Sequence, residues 1–204
     1  MRRALKPTIL VLCALPLAWL LARAFGLGGL GLGANPIDEL MDTLGGWGLR
    51  LLLATLCITP LAVTLRKPWL IGLRRMLGLY AFTYLVLHFL TWFVLDQWFD
   101  LRAIAADVVK RPYITAGFSA FVLLVPLAVT STRRWMRRLG ARWHRLHRLV
   151  YPAAVLGCVH FWWQVKADWR EPAVYAVLLA GLLGWRLLRA RRRTGAVPAA
   201  GLAG

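Results

Sequence analysis

The stretch WHRLHRLVYPAAVLGCVHFWWQVK, from Trp143 to Lys166, holds three of the four histidines in the chain. His147 stands among arginines at its start, and His160 lies thirteen residues on, inside an apolar run. At 1.5 Å per residue the two imidazoles are about 20 Å apart along a helix axis, most of the thickness of a bilayer's hydrocarbon core. An imidazole in lipid costs free energy unless something pairs with it, so an ionisable group at that depth is a functional candidate. Haem iron, which takes axial histidine, is the partner to test. A second histidine at matching depth on another helix would let the protein hold the ring between two spans, and His88 is the one available.

The composition supports a membrane setting. Of 204 residues 60% are hydrophobic and 11 are tryptophan, too apolar and aromatic for an ordinary soluble domain. The formal charge of +18 is carried in short basic blocks between apolar runs. Such blocks mark cytoplasmic loops, whereas nucleic-acid binding needs a basic patch on a soluble fold, so no nucleic-acid partner is expected. Cys13, Cys57 and Cys158 each lie in an apolar run with no zinc or redox spacing, and read as small buried hydrophobes.

Six spans follow from the apolar runs, at about 8–25, 46–65, 77–95, 113–130, 149–165 and 172–188. The first is either an uncleaved helix or a signal peptide with Ala22-Arg23-Ala24 as a cleavage site; its length favours the helix. Between the first two lies a Gly-rich connection, 26–45, whose charges are Asp38, Glu39 and Asp42. Arg66, Lys67, Arg74 and Arg75 follow the second span. The 96–111 segment has balanced charge, and seven arginines between 133 and 148 follow the fourth span without an acid among them. A disordered tail is expected over 194–204. Basic and non-basic ends alternate, so the expected fold is an all-α, integral membrane six-helix bundle with both termini cytoplasmic, in the bacterial inner membrane. Tryptophans near both sets of ends fit aromatic belts. The sequence shows no strand pattern and no internal repeat.

Residue counts place His88 about 12 Å below Asp96 and His160 about 9 Å below Lys166, both in the outer half. One haem clamped between them is the sharp expectation; two polar helix–helix contacts are the alternative. His147 stands at the inner end of the fifth span, about 140° in azimuth from His160, so both can face one partner helix only if the segment bends, as Pro152 would allow. The matching inner positions on the third span are Arg74 and Arg75. Their guanidinium forks suit haem propionates, a flavin phosphate or lipid headgroups, and simple topology also explains two arginines. His144, in the most polar part of the loop, reads as interfacial. No Gly-rich phosphate loop opens a helix, so a redox protein of this size must borrow its donor and acceptor.

RRMLGLYAFTYLVLHF, Arg74 to Phe89, together with Trp143 to Lys166, resembles the MsrQ (formerly YedZ) family over nearly the whole chain. That family belongs with the ferric reductase and NADPH oxidase transmembrane domains. The resemblance implies a cytochrome b type electron-transport domain over 1–193, carrying one or two haem b and FMN. It implies electrons drawn from the quinone pool or a cytoplasmic flavin reductase and passed to MsrP, a periplasmic molybdopterin enzyme that repairs methionine sulfoxide. It marks His88, His147 and His160 as haem-ligand candidates and Arg74 and Arg75 as a functional pair. The chain departs from the four-histidine pattern of the oxidase relatives, with arginine at the fourth position. A free-standing quinol or ferric reductase, and a small transporter with a histidine proton relay, are the alternative readings.

Overall fold

A computed structural model describes residues 2–165 and 167–194, with side chains for 6–165 and 167–192. Among these residues the chain is all-helical. Nine α-helices follow in order: α1 (Arg2–Ala24), α2 (Pro36–Thr64), α3 (Arg74–Leu90), α4 (Leu101–Lys110), α5 (Pro112–Val129), α6 (Arg133–Leu139), α7 (Ala141–Leu146), α8 (Val150–Gln164) and α9 (Arg170–Thr194). Five segments are long and apolar enough to cross a membrane: Lys6–Ala24, Pro36–Thr64, Pro68–Asp96, Pro112–Val129 and Arg170–Arg192. The chain is a multi-pass membrane protein. Large apolar side chains stand exposed along α1 (Leu10, Val11, Leu12, Leu15), α5 (Val122, Val129) and α9 (Val174, Val177, Leu187), as lipid-facing surfaces do.

The expected boundaries need three corrections. The second span begins ten residues earlier than its apolar run, at Pro36, so Gly45 is not in a connection but inside a helix. Pro36 sits at the helix start, where its missing N–H costs nothing, and Asp38 and Glu39 occupy the first turn, where the helix dipole favours acids. They are an N-terminal signature rather than an acidic loop. The third span extends both ways, through a 3-10 segment Pro68–Leu73 and a π-helical turn Thr91–Asp96. The fifth expected span is the shortest: α8 has 15 residues, about 22 Å, less than a bilayer's roughly 30 Å. Two connections also hold helices that the apolar pattern does not show. α4 is capped by Asp100, whose carboxylate accepts from the backbone N–H groups of Arg102 (2.9 Å) and Ala103 (3.0 Å), and α6 and α7 fill the arginine-rich segment. Of the expected tail, Thr194 ends α9 and the rest lies outside the described residues, as does Lys166.

Two antiparallel pairs form the core, α2 with α3 and α5 with α8. Small residues let the backbones approach: Gly48 meets Leu85 and Gly78 meets Thr55 in the first pair, and Ala116, Ala120, Ala153, Ala154 and Cys158 are buried in the second. Aromatic rings join the pairs, with Phe89 of α3 stacked on Phe121 of α5 at 4.8 Å. Cys13 and Cys158 are buried and all three thiols are free, as small hydrophobes should be.

Proline stands inside α1, α2 and α5, and in the first two a side chain from elsewhere repairs the ladder. In α1, which contains Pro16, the hydroxyl of fully buried Tyr84 enters the backbone ladder, accepting from Leu17 N–H (2.9 Å) and donating to Cys13 C=O (2.8 Å). In α2, Pro60 has no N–H to give the Leu56 carbonyl, which accepts instead from Arg186 Nη2 of α9 at 2.7 Å.

Candidate haem site

His88 on α3 and His160 on α8 are the two histidines the fold brings together, with ring centroids 6.2 Å apart and ring planes at 72°. Each is held the same way. His88 Nδ1 lies 2.9 Å from the Met41 carbonyl of α2, and His160 Nδ1 lies 2.7 Å from the Tyr113 carbonyl of α5. A carbonyl oxygen can only accept, so each Nδ1 carries the proton and donates, leaving each neutral ring a free lone pair on Nε2. Metal-ligating histidines characteristically give their other N–H to a carbonyl or carboxylate in this way, which fixes both tautomer and orientation.

Haem fits this pair. Metal–imidazole bonds are about 2 Å long, which puts the centroids of two rings on opposite sides of one metal roughly 6 Å apart, close to the separation found. No three His, Cys, Asp or Glu side chains converge among the described residues, so what is offered is two imidazoles, the number a porphyrin-held iron lacks.

A second cluster lies toward the other end of α3 and α8. His147 is in a 3-10 turn, His147–Leu149, that joins α7 to α8. That turn interrupts the helix between His147 and His160, whereas Pro152 sits in the first turn of α8, where it needs no N–H partner. The His147 ring stacks on Trp143 at 3.8 Å, and its Nδ1 approaches the Trp143 carbonyl at 3.2 Å. Its Nε2 is buried without a hydrogen bond of normal geometry among the described residues, although the Leu127 backbone lies within electrostatic reach of the ring. Burial, chiefly, and electrostatic repulsion by Arg74 and the neighbouring His144 push its pKa below the ordinary imidazole value.

Arg74 and Arg75 diverge. Arg74 is half-buried within electrostatic reach of Tyr151 and Arg186, and forms none of the ion pairs among the described residues. Arg75 is exposed and lines a shallow recess with Lys6 and Met76. His144 is exposed and meets Trp143 edge-on, so it is remote from the paired imidazoles in role, as an interfacial residue should be.

Sequence reasoning missed several residues that matter here. Met41 and Tyr113 act through backbone carbonyls, which leave no side-chain signal. Arg50 lies inside α2, where it donates to Tyr175 (2.7 Å) and Glu171 (2.7 Å) of α9; an arginine within a span was the signal available. Arg186 was likewise within the sixth span.

Comparison with known proteins gives the family. Residues 44–158 match the family model described as "Ferric reductase like transmembrane component", a segment that includes His88 and His147 and stops two residues before His160. The class is thus a ferric reductase-like transmembrane protein. The chain is 55% identical over 170 residues to the protein-methionine-sulfoxide reductase heme-binding subunit MsrQ of Xanthomonas campestris pv. campestris (strain 8004), covering 80% of this chain and 76% of that one. It is 53% identical over 193 residues to MsrQ of Rhodospirillum rubrum, covering 93% and 91%, and 50% identical over 181 residues to MsrQ of Caulobacter vibrioides, covering 88% and 85%. Within the ferric reductase-like class, the chain belongs to the MsrQ family of heme-binding subunits. No solved structure matches it.

Proposed function

We propose that this chain is the haem b electron-transfer subunit of a two-component system, carrying electrons from the cytoplasmic side to a periplasmic molybdopterin methionine sulfoxide reductase, MsrP. The observation that carries the reading is the His88–His160 pair, with both Nδ1 protons given to carbonyls and both Nε2 lone pairs free. Haem bound there supplies a one-electron iron couple. The chain's own part is to offer two neutral imidazoles and to hold their planes through the Met41 and Tyr113 carbonyls.

In this reading α8 is the fifth of six crossings despite its length. It runs antiparallel beside α5 and is continued by the His147–Leu149 turn and α7. Positive-inside alternation then puts both termini in the cytoplasm and the histidine pair in the outer half of the inner membrane. Arg74, His147, Tyr151 and Arg186 lie at the cytoplasmic end, where electrons enter from a quinol or a cytoplasmic flavin reductase. Arg74 is a half-buried cation without a carboxylate, suited to an anionic group such as an FMN phosphate or a haem propionate, and Arg75 to a lipid headgroup or the donor's surface.

The test is stopped-flow reoxidation of the dithionite-reduced protein in detergent under anaerobic conditions. Adding MsrP with methionine sulfoxide should reoxidise the haem at a rate that rises with MsrP concentration. Reoxidation by ferric citrate but not by MsrP would instead favour a free-standing ferric reductase.

A further inference from the structure

The two histidines share more than a carbonyl partner. One helical turn after Met41, Gly45 lies under the His88 ring; one turn after Tyr113, Gly117 lies under the His160 ring. Each carbonyl precedes its histidine by 47 residues. The same device of carbonyl, glycine one turn later and histidine on the next core helix thus occurs once in each antiparallel pair, although the sequence shows no repeat.

We infer that Gly45 and Gly117 are positioning residues for the two axial histidines, their missing side chains being what allows each Nδ1–H to reach its carbonyl; this rests on the haem reading above. A helix carbonyl already accepts the N–H of the residue four positions on. To donate to it as well, a ring from a neighbouring helix must lie flat on that turn, over the very residue whose N–H the carbonyl accepts. A Cβ there occupies the ring's place. On Gly117 it would stand 2.7 Å from His160 Nδ1 and 2.9 Å from Cγ; on Gly45 it would stand 3.0 Å from His88 Nδ1 and 3.1 Å from Cε1. Glycine inside a helix is less favourable than alanine, so two at matching places call for a packing reason.

The consequence is electronic as well as steric. An Nδ1–H donated to a carbonyl makes Nε2 a stronger donor, which favours ferric iron. Pushing the ring off its carbonyl therefore raises the midpoint potential. A displaced ring would also leave the 72° between the two planes, and with haem bound the largest g-value of a low-spin ferric signal would report that change.

The experiment compares Gly117→Ala, Gly45→Ala and Gly48→Ala in the full-length, membrane-inserted protein. Gly48 is the control: its Cβ would meet Leu85 Cδ2 at 2.7 Å, as tight a clash as at Gly117 but against a leucine. The readouts are haem per protein, potentiometric midpoint and low-temperature EPR, with insertion checked by protease protection. Gly117→Ala should raise the potential and move the g-value most, or lose haem while still inserted. Gly45→Ala should do so less, and Gly48→Ala should match wild type in both. Wild-type potential and g-value in both Gly117→Ala and Gly45→Ala would overturn the proposal, as would an equal shift in Gly48→Ala. If His88→Ala and His160→Ala keep their haem, the axial reading itself falls and this proposal with it; if they lose it while the glycine variants stay wild-type, the proposal alone falls.

Discussion

The two ends of the core formed by the α2–α3 and α5–α8 pairs differ in what they finish. At one end the chain supplies a complete set: two imidazoles 6.2 Å apart, each with its Nδ1 tied to a carbonyl of a different helix. At the other it supplies a single His147, whose Nδ1 turns back on its own segment and whose buried Nε2 has no hydrogen bond of normal geometry among the described residues, with Arg74 within electrostatic reach. A guanidinium cannot ligate iron, since it has no lone pair to give at any accessible pH. In the proposed function the first end holds the haem iron, and the second takes something anionic brought from outside.

The comparison assigns opposite sides of the membrane to its two terms, and that assignment is the easiest to break. A reporter fused after Arg193 should be active only in the cytoplasm, and one inserted near Asp38 only in the periplasm. The effect is all-or-none. A periplasmic C-terminus would mean that α8 does not cross.

A smaller effect sharpens the arginine end. Replacing Arg74 and Arg75 together with alanine should slow haem reduction by the cytoplasmic donor while leaving the content of the histidine-pair haem nearly intact. A charge-assisted contact is worth roughly 1.5 to 3 kcal/mol, so donor or flavin binding should weaken about ten- to a hundredfold. Because the two side chains diverge, Arg74→Ala alone should carry most of the loss and Arg75→Ala little. Lysine at both positions should restore part, keeping charge without the planar fork. Stopped-flow reduction in correctly inserted variants gives the answer; full activity in the Lys-Lys protein would reduce the pair to a topology signal.

Much of this was legible in the residues. Hydropathy gave six spans, five of which are helices long and apolar enough to cross a membrane, and depth counted along ideal helices brought His88 and His160 to one level, because 1.5 Å per residue holds well in apolar spans. The start of α2 was not, since Asp38, Glu39 and Gly45 have the composition of a loop; what makes them helical is Pro36 at the first turn and packing of α2 on α3, and packing has no local signature. The same blind spot hid Gly45 and Gly117. A glycine's role there is to be absent from the space a histidine fills, which shows only when the neighbouring helix is in place. The divergence of Arg74 and Arg75 follows from the roughly 100° between successive residues on a helix, which does separate adjacent side chains, but which of the two turns inward depends on Tyr151 and Arg186 arriving from α8 and α9.

The central claim is that one iron is held between His88 and His160. Haem per protein, with the low-spin bis-imidazole spectrum, in His88→Ala and His160→Ala tests it most directly. Each variant should insert normally and lose that haem, because each removes one of two axial ligands supplied by opposite helices. Wild-type haem content and spectrum in both would contradict the account and leave the two histidines as polar contacts between helices.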